Sequence, residues 1–260
     1  MSKVSIVITA KNAEKHLKET LESINRSEGI NKLEIVFIDD GSTDSTSDII
    51  KSFNFNDSID LVYEYVELGR ARALNYGLSI CTNHIVCILD ADDLFHKDKL
   101  RIQYEVFKKN REVKILATRY SSGSSSKTFL SKNIDKNIAL EKLELKDIIK
   151  SNPICHSSVM FDKKNMSYSE ERKMQIDLEM WLRYLQQNDF IFIIDADLVF
   201  KRLHPNQSFE SKRRIKYVLS SYFLTLSYAK PYRKHIFEIT YRTARLFFHL
   251  IPRTISKHLK

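Results

Sequence analysis

The side chains able to do chemistry in this sequence gather in short acidic clusters. Residues 89–93 read Leu-Asp-Ala-Asp-Asp directly after an apolar run, and residues 39–44 read Asp-Asp-Gly-Ser-Thr-Asp after another. In an extended segment residues i and i+2 project to one side, so Asp90 and Asp92 can present two carboxylates to one point. Like charges held that close repel and need a cation. Hard oxygen ligands suit Mg2+ or Mn2+, ions that protein carboxylates hold together with substrate phosphates. The plainer reading is a solvated acidic turn that caps the next helix. The Asp39-Asp40 turn poses a similar choice: carboxylates accepting hydrogen bonds from a base or sugar, or an Asx turn followed by a helix cap.

A phosphate ligand would find no backbone cradle here. After the first apolar run the sequence is Thr9-Ala10-Lys11-Asn12-Ala13, without the glycines of a dinucleotide fingerprint or a P-loop. Phosphates must then be neutralised by a metal and by cations. Arg70 and Arg72, at the start of a helix after the third strand, are candidates; otherwise they decorate an exposed helix face.

The elements that would position these residues follow from hydrophobic periodicity. Segments 4–9, 33–38 and 84–89 are short apolar runs, as expected of strands covered on both faces. Between the first two, Leu17, Leu21 and Ile24 fall at helical spacing over residues 13–24, behind Asn12 as a cap. Ser42 and Thr43 could cap a helix running through Ile49, Ile50 and Phe53. Further strand and helix candidates occupy 59–66, 70–80 and 97–110. Strands alternating with helices predict βαβ units, an open and mostly parallel α/β sheet, and ligands at the carboxyl ends of its strands. Residues 121–126, Ser-Ser-Gly-Ser-Ser-Ser, read as a loop, and no element is assigned as far as 138. A helix near 143–149, a strand near 157–161, and a helix with Leu178, Trp181, Leu182 and Leu185 follow. Strand-like segments at 190–194 and 199–203 close the body. Two helical runs come last, at 207–228 and beyond Pro231, the second with Ile236, Ile239, Thr243, Leu246, Phe247 and Leu250 on one face. We divide the chain into a catalytic domain, 1–205, and a basic helical extension, 206–260.

Composition sets the limits of this reading. Of 260 residues 43% are apolar, with only five Gly and four Pro, which excludes wholesale disorder and collagen-like repeats. The three Cys, at 81, 87 and 155, lack paired spacing, arguing against a disulfide framework or zinc site and for a reducing, cytoplasmic location. The N-terminal residues run straight into a strand-like segment without the pattern of a secretory signal. The longest uncharged stretch in the second half, 217–229, is thirteen residues with three Ser, whereas a bilayer span takes about 20 apolar residues. The net charge of +9 is uneven: residues 201–260 hold fourteen Lys and Arg against two Glu, and residues 1–200 hold 28 against 31. A basic tail seeks phosphate, on anionic lipid or nucleic acid.

Taken together, the segments at 4–24, 39–44, 69–78 (Gly-Arg-Ala-Arg-Ala-Leu-Asn-Tyr-Gly-Leu) and 89–93 stand in the order seen in family 2 inverting glycosyltransferases of the GT-A fold. Asp177-Leu178-Glu179-Met180-Trp181-Leu182-Arg183 resembles the acidic segment and helix that follow in that family. The resemblance spans roughly residues 3 to 205 and implies a GT-A type, Rossmann-like sheet. It implies that Thr9 and Asp40 contact the base and ribose of a nucleotide, that Asp39 supports that turn, and that Lys11 and Arg72 lie on the donor side. Asp90 and Asp92 look like the metal and diphosphate motif, with Asp93 next to the sugar. His204 resembles a histidine that some members place near the metal, and Asp177 resembles the catalytic base. His156, in Asn152-Pro153-Ile154-Cys155-His156-Ser157, resembles an acceptor-side residue, and Glu179 and Trp181 are placed on that side too. Lys11 stands where an aromatic residue is frequent, Leu74 where an Arg is frequent, and Ile176 where an acid commonly precedes the base.

The chemistry fits those roles. Inversion at an anomeric carbon needs a metal-stabilised leaving diphosphate and one base on the opposite face. Asp177 begins a helix whose dipole favours its ionised form, and a carboxylate in reach of a hydroxyl can serve as the base. The expectation is transfer of a sugar from a nucleoside diphosphate donor, a UDP-sugar by resemblance, to a glycan or lipid-linked glycan in surface polysaccharide assembly. The alternatives are a sugar-nucleotide nucleotidyltransferase and a catalytically silent, membrane-associated glycan-binding protein. Apolar, aromatic and basic residues together in 206–260 suit peripheral contact with an anionic membrane, and equally suit packing on the body or another subunit of a homo-oligomer. No nucleic-acid-binding motif accompanies the charge.

Overall fold

The computed structural model describes residues 3–134, 138–164, 166–188, 190–204, 214–229 and 236–250. They fall into two units: Met1–Lys142 with Ile154–Glu170 and Ile191–Leu203, and Leu143–Pro153 with Glu171–Phe190 and His204–Lys260.

The first unit is a sheet with helices. In chain order it contains β1 (Lys3–Ala10), α1 (Leu17–Asn25), β2 (Lys32–Asp40), α2 (Thr46–Ser52), β3 (Ile59–Val66), α3 (Arg70–Ile80), β4 (Ile85–Ile88), β5 (Leu94–Phe95), α4 (Lys99–Lys109), β6 (Ile115–Gly123), α5 (Lys127–Leu130) and β7 (Leu140–Leu143). A single 3-10 turn at His156–Ser158 precedes β8 (Met160–Asp162), and β9 (Ile191–Arg202) follows later. The strand order is β3-β2-β1-β4-β8-β6-β9-β5, with β7 paired to β9. The pairs β1–β2, β2–β3, β1–β4 and β6–β9 are parallel, and β4–β8, β6–β8 and β5–β9 antiparallel. The sheet is thus the mostly parallel α/β sheet that the periodicity predicts.

Position in the sheet explains the composition of each strand. β1 lies between β2 and β4, so Val4, Ile6, Val7 and Ile8 are all fully buried, the continuous apolar run of a strand covered on both faces. β3 forms an edge and carries exposed Asp60 and Leu61. Leu17, Leu21 and Ile24 of α1 are buried at helical spacing, each worth about 1.5–3 kcal/mol relative to exposure. α3 lies close against the sheet because Gly77 has no side chain: a Cβ there would stand 2.7 Å from Val7 Cγ1 and 3.3 Å from Ile38 Cγ1.

The structure corrects the sequence reading in four places. Asn12 does not cap a helix: α1 begins at Leu17, and Asn12 takes φ 55°, a left-handed turn position that Asn tolerates. Ser42 and Thr43 do not cap α2 either; Asp44 accepts the Thr46 N–H at 3.0 Å there. Residues 121–123 are not loop but the end of β6, and α5 follows. The two segments at 190–194 and 199–203 form one strand, β9, and register shifts against β6 at Arg119 and Tyr120 absorb its polar middle.

The second unit is helical: α6 (Leu145–Lys150), α7 (Ile176–Gln187), α8 (Arg214–Ala229) and α9 (Ile236–Leu250). α7 buries Leu178, Met180, Trp181, Leu182 and Leu185. The C-terminal helices α8 and α9 belong to the same unit and bond to it. Arg242 donates to the Ile148 and Ile149 carbonyls at 3.3 and 3.0 Å, a cation on the last turn of α6. Tyr228 donates to Glu179 Oε1 at 2.7 Å. Of the apolar face expected on the last helix, Ile239 and Thr243 are half-buried. The side chains of Ile236, Leu246, Phe247 and Leu250, and residues 205–213, 230–235 and 251–260, lie outside the described residues. Among the described residues no helix is long and apolar enough to cross a membrane, and all three cysteines are buried thiols.

Candidate active site

Because β1, β2 and β4 run parallel, their carboxyl ends bring Thr9, Lys11, Asp39, Asp40 and Asp90 to one edge of the sheet. In such sheets this edge is where ligands bind. The loops there are tied together before any ligand arrives. The Asn12 N–H donates to Ser42 Oγ at 2.9 Å, and Asn12 Oδ1 accepts the Thr43 N–H at 2.8 Å. Asp39, fully buried, accepts the Ser42 N–H at 2.8 Å and the Ser47 hydroxyl at 2.6 Å, so both its oxygens fix the turn. Gly41 makes that turn at φ 78°, open to glycine without strain. Asp40 Oδ1 accepts the Leu68 and Gly69 N–H groups at 2.8 and 2.9 Å. It thereby pins the start of α3, whose first residue is Arg70.

From that anchored position Arg70 reaches Asp90, Nη2 to Oδ1 being 2.6 Å. The same oxygen meets His156 Nδ1 at 3.0 Å. An ionised carboxylate only accepts, so His156 donates from Nδ1. Its Nε2 lies 2.9 Å from the Tyr168 hydroxyl. Tyr168 is itself held to α3, its N–H donating to Asn75 Oδ1 at 2.8 Å. Burial favours the neutral acid at Asp90, but Arg70 and His156 outweigh it and hold the carboxyl well below the usual range. Arg72 pairs with Glu170 at 3.2 Å.

Asp93 is buried, and each of its oxygens accepts a hydrogen bond, from Ser157 Oγ at 2.5 Å and from the Arg202 N–H at 3.1 Å. Burial, then the charges of Asp92 and Asp90, push its carboxyl well above the usual range. Ser157 also accepts the Asp90 N–H at 3.1 Å, bridging the two acids. Arg202 donates from Nε to the Asp92 carbonyl at 3.1 Å and bonds Glu19. Carboxylate oxygens of Asp90, Asp92 and Asp93 lie within 4.8 Å of one another. That convergence, the mutual repulsion it produces and the hard oxygen donors fit a divalent cation of the Mg2+ or Mn2+ type.

Asp177, Glu179, Trp181 and His204 belong to the helical unit. Asp177 is half-buried in the first turn of α7, two residues after Gln175, which takes φ 59°. Glu179 is 6% exposed and bonded to Arg183 at 3.0 Å. Trp181 is fully buried within that unit, its Nε1 without a partner among the described residues. Sequence reasoning missed Ser157, Tyr168 and Arg202 as supports of the carboxylates. It also missed Lys201 on β9, whose ammonium Cys155, Asp93 and Tyr120 hold in the charged form against burial. None sits in a periodic pattern that marks it.

Comparison with known proteins agrees with this geometry. The pattern described as Glycosyl transferase family 2 matches residues 5–167. A Bacillus subtilis glycosyltransferase named for teichuronic acid biosynthesis, TuaG, is 29% identical over 212 residues, covering 80% of this chain and 82% of that protein. S. aureus TarS 1-349 in complex with UDP-GlcNAc superposes with a TM-score of 0.65 at 17% identity, over 85% of this chain and 66% of that one. The mannosyltransferase PcManGT from Pyrobaculum calidifontis, in complex with GDP-Man and Mn2+, gives 0.60 at 20% identity, over 95% and 70%. These likenesses share the α/β architecture described above, and the matched pattern takes in every carboxylate of the sheet edge. This chain belongs to glycosyl transferase family 2.

Proposed function

We propose that this enzyme transfers a sugar from a nucleoside diphosphate donor, a UDP-sugar, to a glycan hydroxyl with inversion, in the assembly of a polysaccharide. The observation that carries the reading is the convergence of Asp90, Asp92 and Asp93 within 4.8 Å at the carboxyl end of β4, beside Arg70. TuaG, named for teichuronic acid biosynthesis, supports the product class, and the UDP-GlcNAc and GDP-Man complexes support the donor class.

In this reading Asp92 and Asp90 would hold Mn2+ or Mg2+, with His204 proposed as a further ligand, and the ion would supply positive charge for the diphosphate of the donor. Asp40, whose Oδ1 is engaged by backbone, uses Oδ2 toward the ribose, and Thr9 borders the base. Lys11 and Arg72 supply positive charge on the donor side, and Asp93 fixes the turn next to the sugar. Asp177, in the first turn of α7, takes the proton from the acceptor hydroxyl. His156 orients Asp90, and Glu179 with Trp181 builds the helix that carries the base. A donor screen read by mass spectrometry tests the reading. One nucleotide sugar is expected to be consumed in the presence of Mn2+, and Asp177→Asn to bind it while losing transfer by at least about 100-fold. Full transfer by Asp177→Asn removes that residue from the mechanism.

A further inference from the structure

Arg70 is a cation placed where another cation has to go. Its guanidinium lies 2.6 Å from Asp90 Oδ1 with the side chain 52% exposed, so it can move into solvent without disturbing a core. Its backbone cannot follow, because Asp40 pins Leu68 and Gly69 just before it. On the other side Asp90 is fixed by His156 and, through it, by Tyr168 and Asn75. The carboxylate is therefore held from the side of His156, while its guanidinium partner is half exposed to solvent. A divalent ion entering the carboxylate cluster meets Arg70 charge against charge at the same carboxylate. A diphosphate removes that conflict: its oxygens suit the planar guanidinium, and its negative charge lies well between two cations.

We propose that Arg70 is a charge latch on Asp90: without donor it occupies the carboxylate and weakens divalent-cation binding, and a nucleoside diphosphate releases it by offering phosphate oxygens in exchange. Cation and nucleotide then bind cooperatively, and by reciprocity each raises the affinity for the other by one factor, typically about 5–150-fold. The latch rests on the metal reading of Asp90 and Asp92. Arg72 does not share the role, since its guanidinium is paired with Glu170.

The test measures Mn2+ binding by the electron paramagnetic resonance signal of the unbound ion, with and without UDP, for the full chain, Arg70→Gln and Arg70→Lys. Arg70→Gln is expected to bind Mn2+ alone roughly tenfold more tightly than the parent, and UDP is expected to raise its Mn2+ affinity by a smaller factor than in the parent, only direct contact between ion and diphosphate remaining to couple them. Arg70→Lys, keeping the charge, stays near the parent. Circular dichroism confirms that each variant folds. Equal Mn2+ affinity of the parent and Arg70→Gln without UDP overturns the latch and leaves the metal site standing. Equal tightening in Arg70→Lys overturns it too, because charge is then not the cause. Absence of Mn2+ binding in every protein, even with UDP, removes the metal site and the latch with it.

Discussion

Three carboxylates within four residues carry unequal burdens. Asp93 is enclosed and pushed toward its neutral form, while Asp90 is held ionised by Arg70 and His156. Asp92, half-buried, completes the cluster. The buried thiols respond to burial in one direction: the Cys81 pKa is pushed up to about 12 by burial and by Glu34, and Cys155 rises by burial and Asp93. A thiol raised in the folded state contributes stability that is complete below its unfolded value of about 8.5 and is lost as pH climbs toward the folded value. Stability should therefore decline from about pH 8.5 upward. At pH 8 Ellman's reagent should modify none of the three cysteines in the native protein and all three after denaturation. Prompt native labelling would show a thiol in reach of solvent.

At the scale of elements, the sheet's edge is built by how closely α3 approaches β1 and β2. Gly77→Ala should raise helix propensity by up to about 1 kcal/mol. Yet its Cβ would press on Val7, a stiff buried side chain 2.7 Å away. Overpacking of this kind costs about 1–3 kcal/mol, so the prediction is a net loss of stability, read as a lower denaturation midpoint. An unchanged midpoint would mean that α3 can shift. Local pattern revealed β1, β2, β3, α3 and the acid pair after β4; burial imposes apolar runs on β1, β2 and β4, and the acids interrupt the run after β4. It did not reveal where α1 and α2 begin, since Asn12, Ser42 and Thr43 spend their hydrogen bonds on one another across the sheet edge. It split β9, whose Asp195 and Asp197 are polar because Arg119 and Ser121 of β6 bond them. Tyr168 and Arg202 reach the acids only through tertiary contacts, which no spacing in the chain records.

At the scale of the whole molecule, the chain pairs a sheet unit bearing the acids with a helical unit bearing Asp177, Glu179 and Trp181. The helical unit exposes Ile215, Phe223, Phe237 and Tyr241, each more than 40% accessible. The last sixty residues carry fourteen Lys and Arg against two Glu. Apolar and basic residues together suit the surface of an anionic bilayer, where area and charge both contribute. We propose that residues 206–260 meet such a surface, which would bring the enzyme to a lipid-linked acceptor. Sedimentation with phosphatidylglycerol vesicles should carry the protein down, with little binding to phosphatidylcholine and release as salt rises. Equal binding to both lipids, or to neither, would contradict that role.

The acid cluster after β4 is, in the proposed function, the cation and diphosphate site. Calorimetric titration of UDP into the parent protein and Asp92→Ala, each with and without Mn2+, addresses it most directly. The parent should bind UDP at least tenfold more tightly with Mn2+ than without, and Asp92→Ala should lose that difference while its far-ultraviolet spectrum is unchanged. UDP affinity that is the same with and without the ion in the parent protein would contradict the assignment.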